Sequence, residues 1–123
     1  MRYLCLLYEN EQLWATMSEA EANAAMGEYF AFTDTHRESG QVLAGEPLQP
    51  TATATTVRVR NGKISTTDGP FAETREQLGG YYLIEAKDLN EAIQIAAKIP
   101  AARSGSVEVR PIMEVMSMAP AEG

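Results

Sequence analysis

The stretch Thr67 to Gly80, TDGPFAETREQLGG, gathers the residues best suited to chemistry. Asp68 has the parity of Ile64 and Thr66, so a strand that continues to it turns the carboxylate inward at the strand's end. Gly69-Pro70 bends the chain sharply, setting glycine's dihedral freedom beside proline's fixed φ. Phe71 is apolar in a polar loop and is expected to plug back into the core. Glu73, Arg75 and Glu76 then cluster charge on what reads as one helical turn, Ala72 to Gln77. Gly79-Gly80 admits close approach of backbone or ligand where the next strand opens. A carboxylate desolvated in this setting has a raised pKa and serves as general acid or base. Arg75 would hold an anionic substrate group or steer Asp68. The same residues also allow a purely architectural reading. Asp at a turn bonds its own backbone two residues on, and Arg75 can pair with Glu73 or Glu76 at the surface.

His36 is the single histidine and lies on the apolar stripe of a helix, near its C-terminus. That position suits a hydrogen-bonded side chain or a partner of the helix dipole, and equally a general base. Cys5, the single cysteine, sits in an apolar run and reads as a small core residue. No intrachain disulfide is possible, and one histidine with one cysteine does not make a zinc or haem site. No metal or cofactor is expected. Trp14, Tyr81 and Tyr82 are candidates to line a pocket, although strand alternation sends only one of the adjacent tyrosines toward the core. There is no Walker loop, nucleophile elbow or dinucleotide fingerprint.

The elements that must position these groups follow from periodicity. Tyr3 to Tyr8 is apolar at nearly every position and reads as a central strand. Ser18 and Glu21 have capping-box spacing. Ala22, Ala25, Met26, Tyr29, Phe32, Thr33 and His36 then form one stripe of a long helix that Gly40 ends. Val42-Leu43-Ala44 is a short strand. Thr55 to Thr67 is a hairpin about Asn61-Gly62, pairing Arg60 with Lys63, Val59 with Ile64, Arg58 with Ser65 and Val57 with Thr66. Val57, Val59, Ile64 and Thr66 are expected to share its buried face. Gly80 to Ala86 is another strand. Asp88 caps a second helix with the stripe Leu89, Ile93, Ala96 and Ile99, closed by Pro100. Ser106 to Ile112 is a last strand, giving a domain over 1–112 and a loose tail over 113–123.

This order is α+β: a ferredoxin-like βαββαβ plan with an added hairpin. Both helices then cover one sheet face. The other face, expected to carry Tyr3, Cys5 and Leu7, needs a lid, and a homodimer supplies one. A chain of 123 residues with 45% apolar content holds one domain with a real core. Ten basic against seventeen acidic residues leave it at −7, which disfavours nucleic acid and anionic membrane as partners. The apolar start is too short for a signal peptide, and no stretch spans a bilayer, so a cytoplasmic protein is expected.

Asp68-Gly69-Pro70-Phe71, with Glu73, Glu76 and Gly79-Gly80-Tyr81-Tyr82 following, resembles the signature of the DGPF proteins, a branch of the YCII-related family. The likeness runs from Met1-Arg2-Tyr3 through Ala52 to Arg58 and on to Gly105 to Pro111. It implies a dimeric α+β barrel built on a ferredoxin-like subunit. It carries over the loop residues Asp68, Gly69, Pro70, Phe71, Glu73 and Glu76. The family's activity is largely uncharacterised, and relatives are often encoded near extracytoplasmic-function sigma factors. The wider YCII group carries a His–Asp pair in its cleft. Aligned on the helix end at Gly40, those positions fall near Tyr29 and Glu38 here, so no dyad is carried over. Two functions are therefore expected of different kinds. One is a small-molecule binder or acid–base enzyme without metal, its pocket rimmed by Asp68, Glu73, Arg75, His36 and Tyr81. The other is a non-catalytic dimeric module in a sigma-factor pathway.

Overall fold

The strand that begins the chain is apolar throughout because it is the sheet's third strand, hydrogen-bonded on both sides. In the computed structural model, which describes residues 1–115, β1 (Arg2–Glu9) lies between β5 (Gln77–Glu85) and β6 (Ser106–Pro111). The strand β2 (Val42–Pro47) pairs with the far side of β5, so the sheet order is β2-β5-β1-β6, antiparallel throughout. With the two-stranded unit β3 (Thr55–Arg60) and β4 (Lys63–Asp68) set aside, this is the ferredoxin-like order expected for a split βαββαβ chain.

Local chemistry fixes the helices. The long α2 (Glu19–Glu38) opens on a complete capping box: Ser18 Oγ accepts from the Glu21 backbone N–H at 3.1 Å, and Glu21 Oε1 accepts from the Ser18 N–H at 2.9 Å. It ends at Gly40, whose φ of 82° only glycine adopts without strain. Asp88 caps α3 (Leu89–Ala96) by accepting from Glu91 N–H. Two short helices were not foreseen. Asn10 caps α1 (Glu11–Ala15) through its side chain, and α4 (Ala101–Ser104) starts at Pro100.

The core lies between the sheet and the helices. Tyr3, Cys5 and Leu7 of β1, Tyr82 and Ile84 of β5, Phe32 of α2, and Ala92, Ile95, Ala96 and Ile99 around α3 are all buried there. This corrects two expectations. Tyr3, Cys5 and Leu7 face the helices. The opposite, helix-free face carries Leu4 and Leu6, with their partners Leu83 and Tyr81 on β5. The stripe of α3 is also rotated: Leu89 and Ile93 are exposed, while Ala92 and Ile95 are buried. Periodicity gives a spacing but not a phase when alanines can fill the inward positions.

The hairpin has the expected register and turn, with φ of 54° at Asn61 and 74° at Gly62. Its expected buried face is open, however: Val57 is 61% exposed, Val59 56% and Ile64 74%. The residues after it are bends rather than a helical turn, and Phe71 is 81% exposed instead of plugging the core. Alternation records which side chains share a face, but not whether anything packs on that face. Gly79-Gly80 is a β-bulge in which Leu7 opposes Gly80 and Tyr8 opposes Leu78. Of the tail expected over 113–123, residues 113–115 are irregular, with Glu114 paired to Arg2. The remainder lies outside the described residues.

Candidate functional site

One cavity of about 540 Å³ opens between α2, the β2 end of the sheet and the chain flanking α1. Four stretches of the chain build its wall. Consecutive turns of α2 supply Met26, Tyr29, Phe30, Thr33 and Arg37, residues three or four apart that share a face. The sheet supplies Leu7, Gly45, Gly80 and Tyr82, and Trp14 projects from α1. The loop Leu48 to Pro50 forms the far side. Most of this wall is apolar and aromatic, the usual character of a small-molecule site.

Glycine makes room for the floor. A Cβ on Gly45 would lie 2.5 Å from Tyr82 Cδ1 and 2.9 Å from the Tyr81 carbonyl oxygen, so only glycine lets β2 pass beneath the Tyr82 ring. Tyr82 hydroxyl is 2.8 Å from Thr33 Oγ1, tying β5 to α2 across the cavity's inner edge. Burial holds Tyr82 above the ordinary tyrosine range, opposed by the Thr33 bond and the charge of Arg37. Tyr29 is pushed up further, first by burial and then by Glu9 and Tyr82. Both phenols are therefore neutral at pH 7, and either hydroxyl of the Tyr82–Thr33 pair can be the donor between them.

The mouth is ordered by two carboxylates. Glu9 accepts from Trp14 Nε1 at 2.9 Å and from Ser104 Oγ. Glu11 accepts from both the backbone N–H (2.7 Å) and the hydroxyl (2.8 Å) of Thr51, which clamps the loop after β2. Gln77 Oε1 accepts from the Glu11 N–H, and Leu48 N–H donates to the Gly79 carbonyl. These bonds hold the loop against the start of β5.

Of the loop residues, His36 and Tyr81 expected to rim the site, Tyr81 alone belongs to this wall, beside the pocket candidates Trp14 and Tyr82. Asp68 is the exposed last residue of β4, opposite Thr55 and not turned into the hollow. Gly69 takes a φ of 97°, donates its N–H to the Ala54 carbonyl and accepts from Thr56 Oγ1, so the Gly-Pro bend anchors the hairpin's base. Pro70, Phe71, Glu73 and Arg75 are exposed, and Glu76 Oε1 accepts from Ser106 Oγ. His36 is 7% exposed; its Nδ1 bonds to the Phe32 carbonyl and its ring stacks on Phe32 at 4.3 Å. Phe32 in turn meets Tyr82 edge-on at 5.0 Å, which puts His36 two rings behind the wall. Tyr29, near where the family's histidine position falls, lines the cavity, whereas Glu38 does not.

Trp14 and Tyr82 were legible as pocket residues. Arg37, Thr33, Glu9 and Glu11 were not singled out, although Tyr29, Thr33 and Arg37 stand at four-residue steps on one helix face. Among the described residues no cluster of three or more His, Cys, Asp or Glu is placed to hold a metal. No described helix is long and apolar enough to cross a membrane.

Comparison with known proteins agrees with this architecture. An uncharacterised protein of Rhizobium meliloti (strain 1021) is 38% identical over 114 residues, covering 91% of this chain and 92% of that protein. Among solved structures, the 5-chloro-2-hydroxyhydroquinone dehydrochlorinase of Burkholderia phenoliruptrix AC1100, in complex with 2,5-dihydroxybenzoquinone, shares the fold. It matches with a TM-score of 0.53 over 95% of this chain and 98% of that one, at 11% identity. The model of the YCII-related domain matches residues 1–116, and the chain belongs to that family.

Proposed function

We propose that this protein binds a small, flat, largely apolar molecule in the cavity between α2 and the sheet. The observation that carries the reading is the wall itself: Trp14, Tyr29, Phe30 and Tyr82 around about 540 Å³, with most of the exposed lining apolar and the charges set among it. A fold relative captured with a dihydroxybenzoquinone is consistent with such a ligand. Neutral phenols at Tyr29 and Tyr82 offer donors, and the exposed carboxylates Asp34 and Glu46 offer acceptors. These are the groups a proton transfer needs. Calorimetric titration with a panel of hydroxylated benzenes tests the reading. At least one is expected to bind and to raise the melting temperature as its concentration rises. Met26→Trp, which plugs the mouth from a solvent-facing position, is expected to abolish binding and leave the ligand-free melting point unchanged. Binding that survives the plug would move the site elsewhere.

A second reading has its own observation. The hairpin's Val57, Val59 and Ile64, and Phe71 after it, leave large apolar side chains uncovered. A second copy of this chain is the occupant that fits. The hairpin carries three of the ten basic side chains, Arg58, Arg60 and Lys63, but one of the seventeen acidic ones, so it is the cationic arm of an acidic body. Asp68, Glu73 and Arg75 lie on or beside this arm, and in a homodimer they belong to the interface. A dimer-forming module needs this surface rather than the cavity. Light scattering of Val59→Glu and Ile64→Glu variants tests it, with a monomer expected from each and an unchanged mass contradicting it.

A further inference from the structure

The cavity's charges are not equivalent. Glu9 and Glu11 have their oxygens engaged by Trp14, Ser104 and Thr51, and act as struts. Asp34 and Glu46 are exposed at the rim. Arg37 is different. It is the one basic side chain in the wall, and no carboxylate pairs with it among the described residues. It follows Thr33 by one helical turn, and its charge is felt at the Tyr82 hydroxyl, which is itself bonded to Thr33. One cation thus lines the same wall as a bonded pair of hydroxyls, one helical turn from Thr33. The hydroxyl pair keeps one proton to donate outward, and that proton beside a cation with no carboxylate partner is complementary to an oxygen that bears negative charge.

Building on the small-molecule reading, we propose that Arg37, with Tyr82 and Thr33, anchors an anionic oxygen of a planar ring compound. The ring itself packs against Tyr29, Phe30 and Trp14. Ligands that lack such an oxygen still enter the slot but lose their orientation. Arg37 is a binding residue in this account, and the acidic mouth selects against a second negative charge at the far end.

Matched pairs of probes test this by calorimetry at pH 7. Benzoate is compared with benzamide, and 4-nitrophenolate with 4-nitroanisole, so that the carboxylate and phenolate sources of the charge are separated. The charged member of at least one pair is expected to bind about tenfold more tightly, the size of a charge-assisted bond at a partly exposed arginine. Arg37→Gln is expected to bring that ratio to about one, with the neutral member's affinity unchanged, and Arg37→Lys to restore part of the preference. Equal binding within both pairs in the wild type overturns the anchoring role and leaves the cavity reading standing. So does a preference that survives Arg37→Gln. If no probe binds and Met26→Trp changes nothing, both the anchor and the cavity reading fall.

Discussion

Tyr82 joins the fold and the site in a single side chain. Its ring lies over Gly45 and against Phe32, and its hydroxyl meets Thr33 at 2.8 Å. Tyr82→Phe is expected to lower the unfolding free energy by about 1 kcal/mol, the value of one part-buried hydrogen bond, as measured by urea denaturation. His36 acts one layer further in. Replacing it with Ala removes a stacked ring and the Phe32 bond, and is expected to cost about 2 kcal/mol while leaving ligand affinity in the cavity little changed. A general-base role would give the opposite result, with stability kept and turnover lost. Cys5 is fully buried, and burial pushes its thiol from 9.0 up to about 11. The folded state therefore keeps a proton that the unfolded chain releases. Its stabilising effect is complete below pH 9 and is lost as pH rises through about 11. Denaturation midpoints are expected to fall across that window, and Cys5→Ala should flatten the thiol's part of the decline. Burial also raises Tyr29 and Tyr82, and their part of the loss persists in that variant.

At the scale of elements, the hairpin and the cavity floor make separate predictions. The β3–β4 unit forms its own two-stranded sheet, and its turn demands positive φ at Asn61 and Gly62. Gly62→Val is expected to raise amide exchange across Thr55–Asp68 and leave the four-stranded sheet protected. Loss of protection throughout would mean that the arm is integral to the core. Gly45→Ala is expected to do the reverse: its methyl meets the Tyr82 ring and the Tyr81 carbonyl, so the sheet loosens and the cavity closes together. These elements also mark how far the sequence can be read. Turn chemistry is local, so Asn61-Gly62 fixed the hairpin's register. Burial is not local, so the apolar parity of Val57, Val59 and Ile64 could not reveal that they stay exposed among the described residues. Part of the inward phase of α3 was hidden for a similar reason: Ala96 was on the expected stripe, but Ala92 carries little hydrophobic signal.

For the whole molecule, the element order sufficed to give the ferredoxin-like plan. Two helical patterns separated by strand patterns leave few chain paths that bury both stripes. The site was harder to read. Asp68 to Phe71 stands out chemically but lies at the base of an exposed arm, whereas the cavity wall is assembled from four stretches of chain whose proximity exists only after folding. Trp14 and Tyr82 were recognisable as candidates because large aromatics line pockets. Arg37 was not, since a cation on a helix reads as solvated surface until its neighbours are known. A homodimer would bring the arm and the acidic body of two copies together, and the mass in solution at several salt concentrations reports this. A dimer weakened by salt is expected if the three hairpin cations contribute. The most direct test of the central claim is a map of backbone and indole amide shifts while benzoate is titrated into labelled protein. Shifts are predicted at the Trp14 indole, Gly45, Gly80 and the turn of α2 from Tyr29 to Arg37. Shifts confined to Asp68–Arg75, with the cavity residues unmoved, would contradict it.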